Sequence, residues 1–302
     1  MSARKASKPQ QFKHRAALEN WATNLAKRVE GKAPVIRKPR VSDNDYLAAY
    51  VMGDPHFGMR SWAPQTGAHF DLKIAKRLHY AAIDRLVDDA LPAHHALLIE
   101  LGDFFHADDE TARTPASGHA LDVDSRHAHV LEVGFDAMVY MTKALLRKHQ
   151  KVTVRIVQGN HDPQSSVALA LALGAYFRNE PRVTIDRAPT PRWYFRFGNV
   201  LIGATHGHQC KPAKMAESMA RERPADWGST AFRYFFYGHI HHKDGKDYSG
   251  CWVESFRTLA PPDAWHAGAA YGAWRDMQSI FFHRKFGERF RHTCPIQMLT
   301  EH

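Results

Sequence analysis

The chain's 302 residues, 44% hydrophobic and 24% charged, supply enough apolar material for a core, which excludes wholesale disorder and suits one large domain or two small ones. No run nears the ~18 uninterrupted apolar residues of a membrane span, the N-terminus lacks a secretory signal's apolar centre, and three scattered cysteines (Cys210, Cys251, Cys294) make neither a disulfide framework nor a zinc ribbon, so a reducing, cytoplasmic setting is expected. The net charge of +10 is unevenly placed: residues 1–40 hold eleven Lys/Arg against two Glu, a net of +9, and the other 262 residues are almost neutral.

In chain order, residues 1–44 read as a basic arm ahead of one domain spanning 45–302. Within the arm Leu18, Trp21, Ala22, Leu25 and Val29 follow helical spacing, which predicts a short amphipathic helix ended by Gly31 to Pro34. The stretch from Pro34 to Pro39 reads as a linker. Such an arm either neutralises nucleic-acid phosphates or acts as a solvated tail, and charge alone leaves both open.

From residue 46 strands and helices alternate. Tyr46 to Met52, Ala96 to Leu101 and Val152 to Val157 read as buried strands. Leu72 to Leu91 is a helical pattern stopped by Pro92. A second helix is expected over Asp122 to His149, capped by Asp122 or Asp124, and a third over Val167 to Phe177. Trp193 to Phe197 and Val200 to Ala204 read as strands joined at Gly198-Asn199. Arg233 to Tyr237 follows, then a strand-rich end that includes Val253 to Phe256 and Ser279 to His283.

Five of these strands end in polar clusters: Asp54-Pro55-His56, Gly102-Asp103-Phe104-Phe105-His106, Gly159-Asn160-His161-Asp162, Thr205-His206-Gly207-His208 and Gly238-His239-Ile240-His241. In α/β folds ligands bind in the loops at the carboxyl ends of strands, so these clusters can meet at one rim. They offer carboxylates, an amide and imidazoles but no thiolate, a donor set for Mn, Fe, Zn or related divalent ions. The set is too large for one tetrahedral ion and right for two. Extended Asp-x-His and His-x-His would send both side chains of a pair to one face. The glycines before Asp103, Asn160 and His239 are expected to permit tight turns. A lone His-x-His means little in a chain with 21 histidines, but five clusters in order, each closing a strand, point to a shared metal site.

The series D-x-H, GD-x-x-H, GNHD, H-G-H, GH-x-H, spanning residues 54–241, resembles the calcineurin-like metallophosphoesterase superfamily. The resemblance implies an α/β fold: a four-layer α/β/β/α sandwich of two mixed sheets flanked by helices, with a dinuclear centre at the strand ends. By motif position, Asp54, His56 and His241 would hold one ion, Asp103 would bridge, and Asn160, His206 and His239 would complete the second. Mn²⁺ is expected first, with Fe, Zn, Ni or Mg as alternatives. Two ions about 4 Å apart can share a hydroxide that attacks phosphorus in line, while His161 serves the leaving oxygen.

Phosphoprotein phosphatases of the superfamily carry GD-x-x-D-R-G and GNHE, whereas this chain has His106 and Asp162 at the corresponding places. A GD-x-F-H stretch is similar to the SbcD-type DNA nucleases, in which the extra His, here His106, assists the phosphate or the leaving group. Thr114-Pro115-Ala116-Ser117-Gly118 and Leu121-Asp122-Val123-Asp124 resemble stretches of phage and prophage metallophosphoesterases. Little chain follows residue 241 to form the capping domain of the SbcD type. In the loop from Asp108 to Asp124 and its surroundings, Arg113, His119, Arg126 and His208 are candidate phosphate contacts. The expected activity is hydrolysis of DNA phosphodiesters, endo- or exonucleolytic, with no membrane partner; a small-molecule or protein phosphoester is the alternative substrate, and a nucleic-acid-binding protein with a vestigial site is a third reading.

Overall fold

The computed structural model describes residues 30–263 and 272–299, together with Asn24 and Lys27. Leu18, Trp21, Ala22, Leu25 and Val29, the expected apolar stripe of the arm helix, lie outside the described residues.

Strands β1 (Asp43–Met52), β2 (Ala93–Glu100), β3 (Lys151–Ile156) and β4 (Val183–Asp186) run parallel, side by side in chain order. Helices α2 (Leu72–Asp88), α3 (His127–Lys148) and α4 (Ser165–Tyr176) make the crossovers, and a short α1 (Ala63–Thr66) precedes them. Right-handed crossovers that always advance in one direction put all three long helices on the same face of the sheet. Strands β10 (Asp276–His283) and β11 (Gly287–Pro295) extend this sheet antiparallel beyond β1. The second sheet has the order β5-β6-β7-β9-β8, built from β5 (Trp193–Phe197), β6 (Val200–Thr205), β7 (Phe232–Tyr237), β8 (Gly245–Tyr248) and β9 (Cys251–Ser255). Helices α5 (Pro212–Glu222) and α6 (Pro224–Gly228) join β6 to β7.

Period-two alternation assigns each strand's side chains to a layer. Leu47, Ala49 and Val51 of β1 meet Ile202, Ala204 and Phe236 between the sheets, whereas Ala48, Tyr50 and Met52 face the three helices. On the outer side of the second sheet Leu201, Phe235 and Val253 receive Met215, Ala216 and Met219 of α5. The fold is thus the expected four-layer α/β/β/α sandwich of two mixed sheets. Among the described residues no helix is long and apolar enough to cross a membrane.

Several local expectations change. The second long helix starts at His127 instead of Asp122, and neither aspartate caps it. Asp124 instead accepts a hydrogen bond from the Leu72 amide at 3.2 Å, joining Asp71, which accepts from Ile74, in satisfying the free amides at the start of α2. Residues 113–120 form a small hairpin of their own, with an Arg113–Ala120 bridge. Residues 31–39 lie along the body: Ala33 and Ile36 pack against the helix-side core, and the carbonyls of Ile36 and Pro39 accept from Arg182 and Gln150.

Strand register brings the polar clusters together. Met52 pairs with Glu100 and Glu100 with Ile156, while Thr205 pairs with Tyr237, so the strands of each sheet end flush at one rim.

Candidate metal centre

Each loop leaving that rim turns sharply. Asp54, His56, Asp103, His239 and His241 all have positive φ, between 45° and 70°, and account for five of the seven such non-glycine residues among the described ones. Side chains with a Cβ avoid this region, and clusters of such residues mark functional sites. Both members of the Asp54/His56 and His239/His241 pairs therefore reach the centre through left-handed backbone, not through the extended alternation expected from sequence.

The glycines also act differently from expectation. Gly102 does turn, at φ +98°. Gly159 and Gly238 do not have positive φ; they are needed for room. A Cβ on Gly159 would lie 2.0 Å from Asp103 Oδ1 and 2.2 Å from the Asp103 amide nitrogen, and one on Gly238 would lie 2.6 Å from Asp54 Oδ2. Gly159→Ala should accordingly cost about 3 kcal/mol of stability, whereas Gly228→Ala, with no atom within 4 Å of its added carbon, should stay within about 0.5 kcal/mol. Denaturant melts of the two variants check this; equal midpoints would refute the close approach at Gly159.

The structure draws the seven expected ligands into two groups. Ligand atoms of Asp54, His56 and His241 lie within 4.8 Å of one another, as do those of Asp103, His206 and His239. Asn160 joins the second group, its Oδ1 2.9 Å from His206 Nε2. Asp54 and Asp103 are almost fully buried, as are His56 and His206, while His239 is exposed toward the cavity. Backbone donors hold the carboxylates: Asp54 accepts from the His239 amide at 2.9 and 3.0 Å, and Asp103 Oδ1 from the His161 amide at 2.8 Å.

The ring tautomers test whether these residues suit cations. His206 Nδ1 lies 2.9 Å from the Leu101 carbonyl and so carries a proton. Its Nε2 then faces two oxygens, Asn160 Oδ1 and Asp103 Oδ2, the latter at 3.2 Å. Acceptors confront one another there unless a second proton or a cation sits between them. Burial alone would lower the His206 pKa, but Asp103 and Asp54 outweigh it and lift the imidazolium to about 9. Likewise His56 Nε2 and His241 Nε2 face each other at 3.1 Å. Burial, then the charges of His241, His161 and His106, push His56 well below the ordinary histidine range, leaving it neutral with a lone pair to give. Burial opposes ionisation of Asp103, yet His206, His161 and His56 hold its carboxyl well below the usual range. Ionised carboxylates beside a neutral His56, and a His206 that needs a second proton where acceptors oppose one another, form a set that fits divalent cations.

Around the ligands, Asp162 ties two loops together by accepting from the amides of Phe105 at 3.0 Å and Gly159 at 3.1 Å. Burial and the nearby Asp103 charge raise its pKa to about 8. Glu100, fully buried, accepts from the Gly102 amide at 2.8 Å. Neither acid has a role in the sequence motif; Glu100 is marked only as an acid inside the apolar run Ala96 to Leu101, and Asp162 only as the acid two residues after Asn160.

His161 Nδ1 donates to the His106 carbonyl at 2.8 Å, which leaves Nε2 toward the cavity, 3.9 Å from Asp103 Oδ2. His106 is buried, with Nδ1 3.2 Å from His56 Nδ1 and Nε2 without a hydrogen-bond partner. His106 lies behind His56 and is absent from the cavity lining. That cavity, about 310 Å³, is bordered by Asp103, Asn160, His161, His239 and His241 on one side and by Thr114, Ser117, His119, Leu121 and Asp263 on the other. Of the candidate substrate contacts, His119 lines it. His208 stands at its edge, its ring 5.2 Å from that of His206 and 6.1 Å from that of His239. Arg113 instead donates to Gly118 O within its own hairpin at 2.8 Å. Arg126 lines a separate cavity with Asp109, Glu110 and His127. Leu121 and Asp263 were not foreseen, because their place follows from how the hairpin and the 261–263 segment fold over the rim.

No family model and no curated protein matches the chain. Among solved structures it is similar to a predicted phosphoesterase from Streptococcus pneumoniae TIGR4, at 12% identity over 83% of this chain and 98% of that one, with a TM-score of 0.33. An archaeal phosphodiesterase is similar at 14% identity over 82% and 99%, TM-score 0.40. A zinc complex of Vps29 from Entamoeba histolytica is similar at 14% over 82% and 98%, TM-score 0.32. At such scores these likenesses add nothing to the strand order about chemistry, which the two ligand groups carry.

Proposed function

We propose that the protein is a dinuclear-metal phosphoesterase that cleaves phosphodiesters, with DNA as its substrate. The observation that carries this reading is the convergence of Asp54, His56 and His241 in one group and Asp103, His206 and His239 in the other, beside Asn160. Asp54, His56 and His241 would hold one ion, Asn160, His206 and His239 the other, with Asp103 reaching both. Bound there, a pair of divalent ions, Mn²⁺ first and Fe, Zn, Ni or Mg as alternatives, would supply Lewis acidity, easing deprotonation of water and offsetting phosphate charge.

The remaining steps belong to side chains. Leu101 O fixes the His206 tautomer and so aims its Nε2 lone pair inward. His161, oriented by the His106 carbonyl, presents Nε2 to the cavity, and with both ring nitrogens protonated it gives the Nε2 proton to the departing ester oxygen and is left neutral. His106 has two roles open to it by geometry: it accepts from His56 Nδ1–H and so orients that ligand, or its buried Nε2 turns toward phosphate. Thr114, Ser117 and His119 border the substrate from the hairpin.

DNA as substrate is supported by the +9 charge of residues 1–40, which suits a polyanion. Purified protein with Mn²⁺ should cleave linear or nicked DNA as well as a chromogenic phosphodiester, with DNA cleavage falling as salt rises or when residues 1–40 are removed. Turnover of the small ester alone, indifferent to that deletion, would leave the alternative of a small phosphoester; no turnover of any ester with bound metal would end the phosphoesterase reading.

A further inference from the structure

Next to the ligand cavity, sharing His241 with it, runs a shallow cleft lined by His242, Pro261, Pro262 and Trp274. Trp274 is 80% exposed, the most exposed aromatic ring among the described residues. A lone exposed apolar ring needs no explanation by itself; what distinguishes Trp274 is that its cleft adjoins the ligand cavity. Its setting is built, not incidental. The Arg257 guanidinium lies over the ring, 5.7 Å from its centroid, and is itself held by Asp276 at 2.7 Å. The next residue, Arg275, is tied down by the Leu259 carbonyl. Among the described residues, the indole is thus supported on one side by a fixed cation.

We infer that Trp274 is a stacking platform for a nucleobase of a single-stranded nucleic acid whose phosphodiester sits at the neighbouring metal centre. The inference rests on the phosphoesterase reading for what lies beside His241 and deepens it by naming the substrate form. A flat ring beside a phosphate site matches a nucleotide, whose base and phosphate are a few bonds apart. Every base has a π-face, so stacking on an indole holds single strands without selecting sequence. In a duplex the bases are already stacked and paired, and their faces are unavailable to a side chain unless a strand end frays or a base is extruded. The cleft therefore selects single strands, gaps or frayed ends over intact duplex.

The test uses the full-length chain carrying His161→Ala, which slows hydrolysis of the oligonucleotide and leaves both ligand groups in place, with fluorescence anisotropy of a labelled decathymidylate in Mn²⁺. A decamer of the same backbone lacking bases serves as the comparison. Trp274→Ala should weaken decathymidylate binding about tenfold, leave the base-free decamer unchanged, and be restored by Trp274→Phe. A duplex decamer should bind like the base-free strand. Equal binding of decathymidylate by the parent and Trp274→Ala proteins, or equal binding of the decathymidylate and base-free decamers by the parent, would overturn the inference. Because binding is the readout, a protein that stacks decathymidylate through Trp274 yet hydrolyses no ester would sustain the platform while ending the phosphoesterase reading. Hydrolysis of small esters with base-indifferent binding would do the reverse. Melting curves of the variants, whose changed side chain is exposed, confirm that the fold is intact.

Discussion

Asp103→Asn should lower turnover by roughly 10³-fold and reduce the metal content per chain, whereas His161→Ala should lose roughly 10²- to 10⁴-fold with metal content unchanged. The distinction follows from what each side chain touches. Asp103 is buried between the His206 ring, 3.2 Å away, and the His161 amide, and its charge would offset that of cations held by the two ligand groups. An amide of the same shape accepts the amide hydrogen bond but supplies no charge. The His161 ring meets Asp103 Oδ2 only at 3.9 Å, and its Nδ1 proton is committed to the His106 carbonyl. Removing its ring leaves both ligand groups in place and takes away only the donor facing the cavity. Metal analysis alongside steady-state kinetics checks the pair. Full metal content and full turnover in the Asp103 variant would refute the assigned centre, and wild-type turnover in the His161 variant would remove that residue from the reaction.

Stripped of metal, the protein should become less stable as pH rises from 7 to 9, by roughly 5–10 °C in melting temperature, and added divalent ions should flatten that slope. Asp162 keeps its proton in the fold up to about 8, while an unfolded aspartate loses it near 3.9. The folded state therefore binds more protons, and its advantage drains away as pH climbs through 8. His206 has the same sign: raised to about 9 from about 6.5, its contribution is complete below 6.5 and gone above 9. Glu100, raised by burial and by Asp162, has a shift of the same sign. Histidines with lowered values, such as His56 and His106, are neutral in both states above pH 7 and contribute nothing in this window. A cation bound at His206 would displace the proton on its Nε2, which is why the stabilising effect of divalent ions should grow with pH. Thermal melts in chelator and in Mn²⁺ across this range decide the matter; a chelated protein whose melting temperature is flat or rising from pH 7 to 9 would contradict it.

Much of this architecture was legible in the sequence where burial is two-sided. Strands β1, β2, β3, β6 and β7 are sandwiched between layers, so they appear as apolar runs, and each ends where the chain turns polar. Edge strands carry no such signal. β4 is four half-exposed residues and β8 is Gly245–Tyr248, almost wholly exposed. β10 starts four residues before the apolar run Ile280–Phe282, because Asp276, Gln278 and Ser279 are buried as polar groups, Asp276 on Arg257 and Gln278 on Arg291. Helix α5 went unread although Pro212 opens it and Met215, Ala216 and Met219 mark its buried face. For the site, spacing showed which residues meet but not how: the left-handed turns at Asp54, His56 and Asp103, the Asp162 staple and the rotation of His106 onto His56 are settled by three-dimensional packing. The fate of Arg113 and Arg126 depends on a hairpin whose folding no local periodicity announces.

The five left-handed residues at the rim have an evolutionary corollary. Each such bend costs about 1–3 kcal/mol, and glycine or asparagine would accept the same geometry with less penalty. A lineage released from selection for chemistry would therefore gain robustness most readily by losing side chains at 54, 56, 103, 239 or 241. In this chain Asp and His occupy all five positions, so the fold carries that cost at the rim in exchange for the groups it brings there.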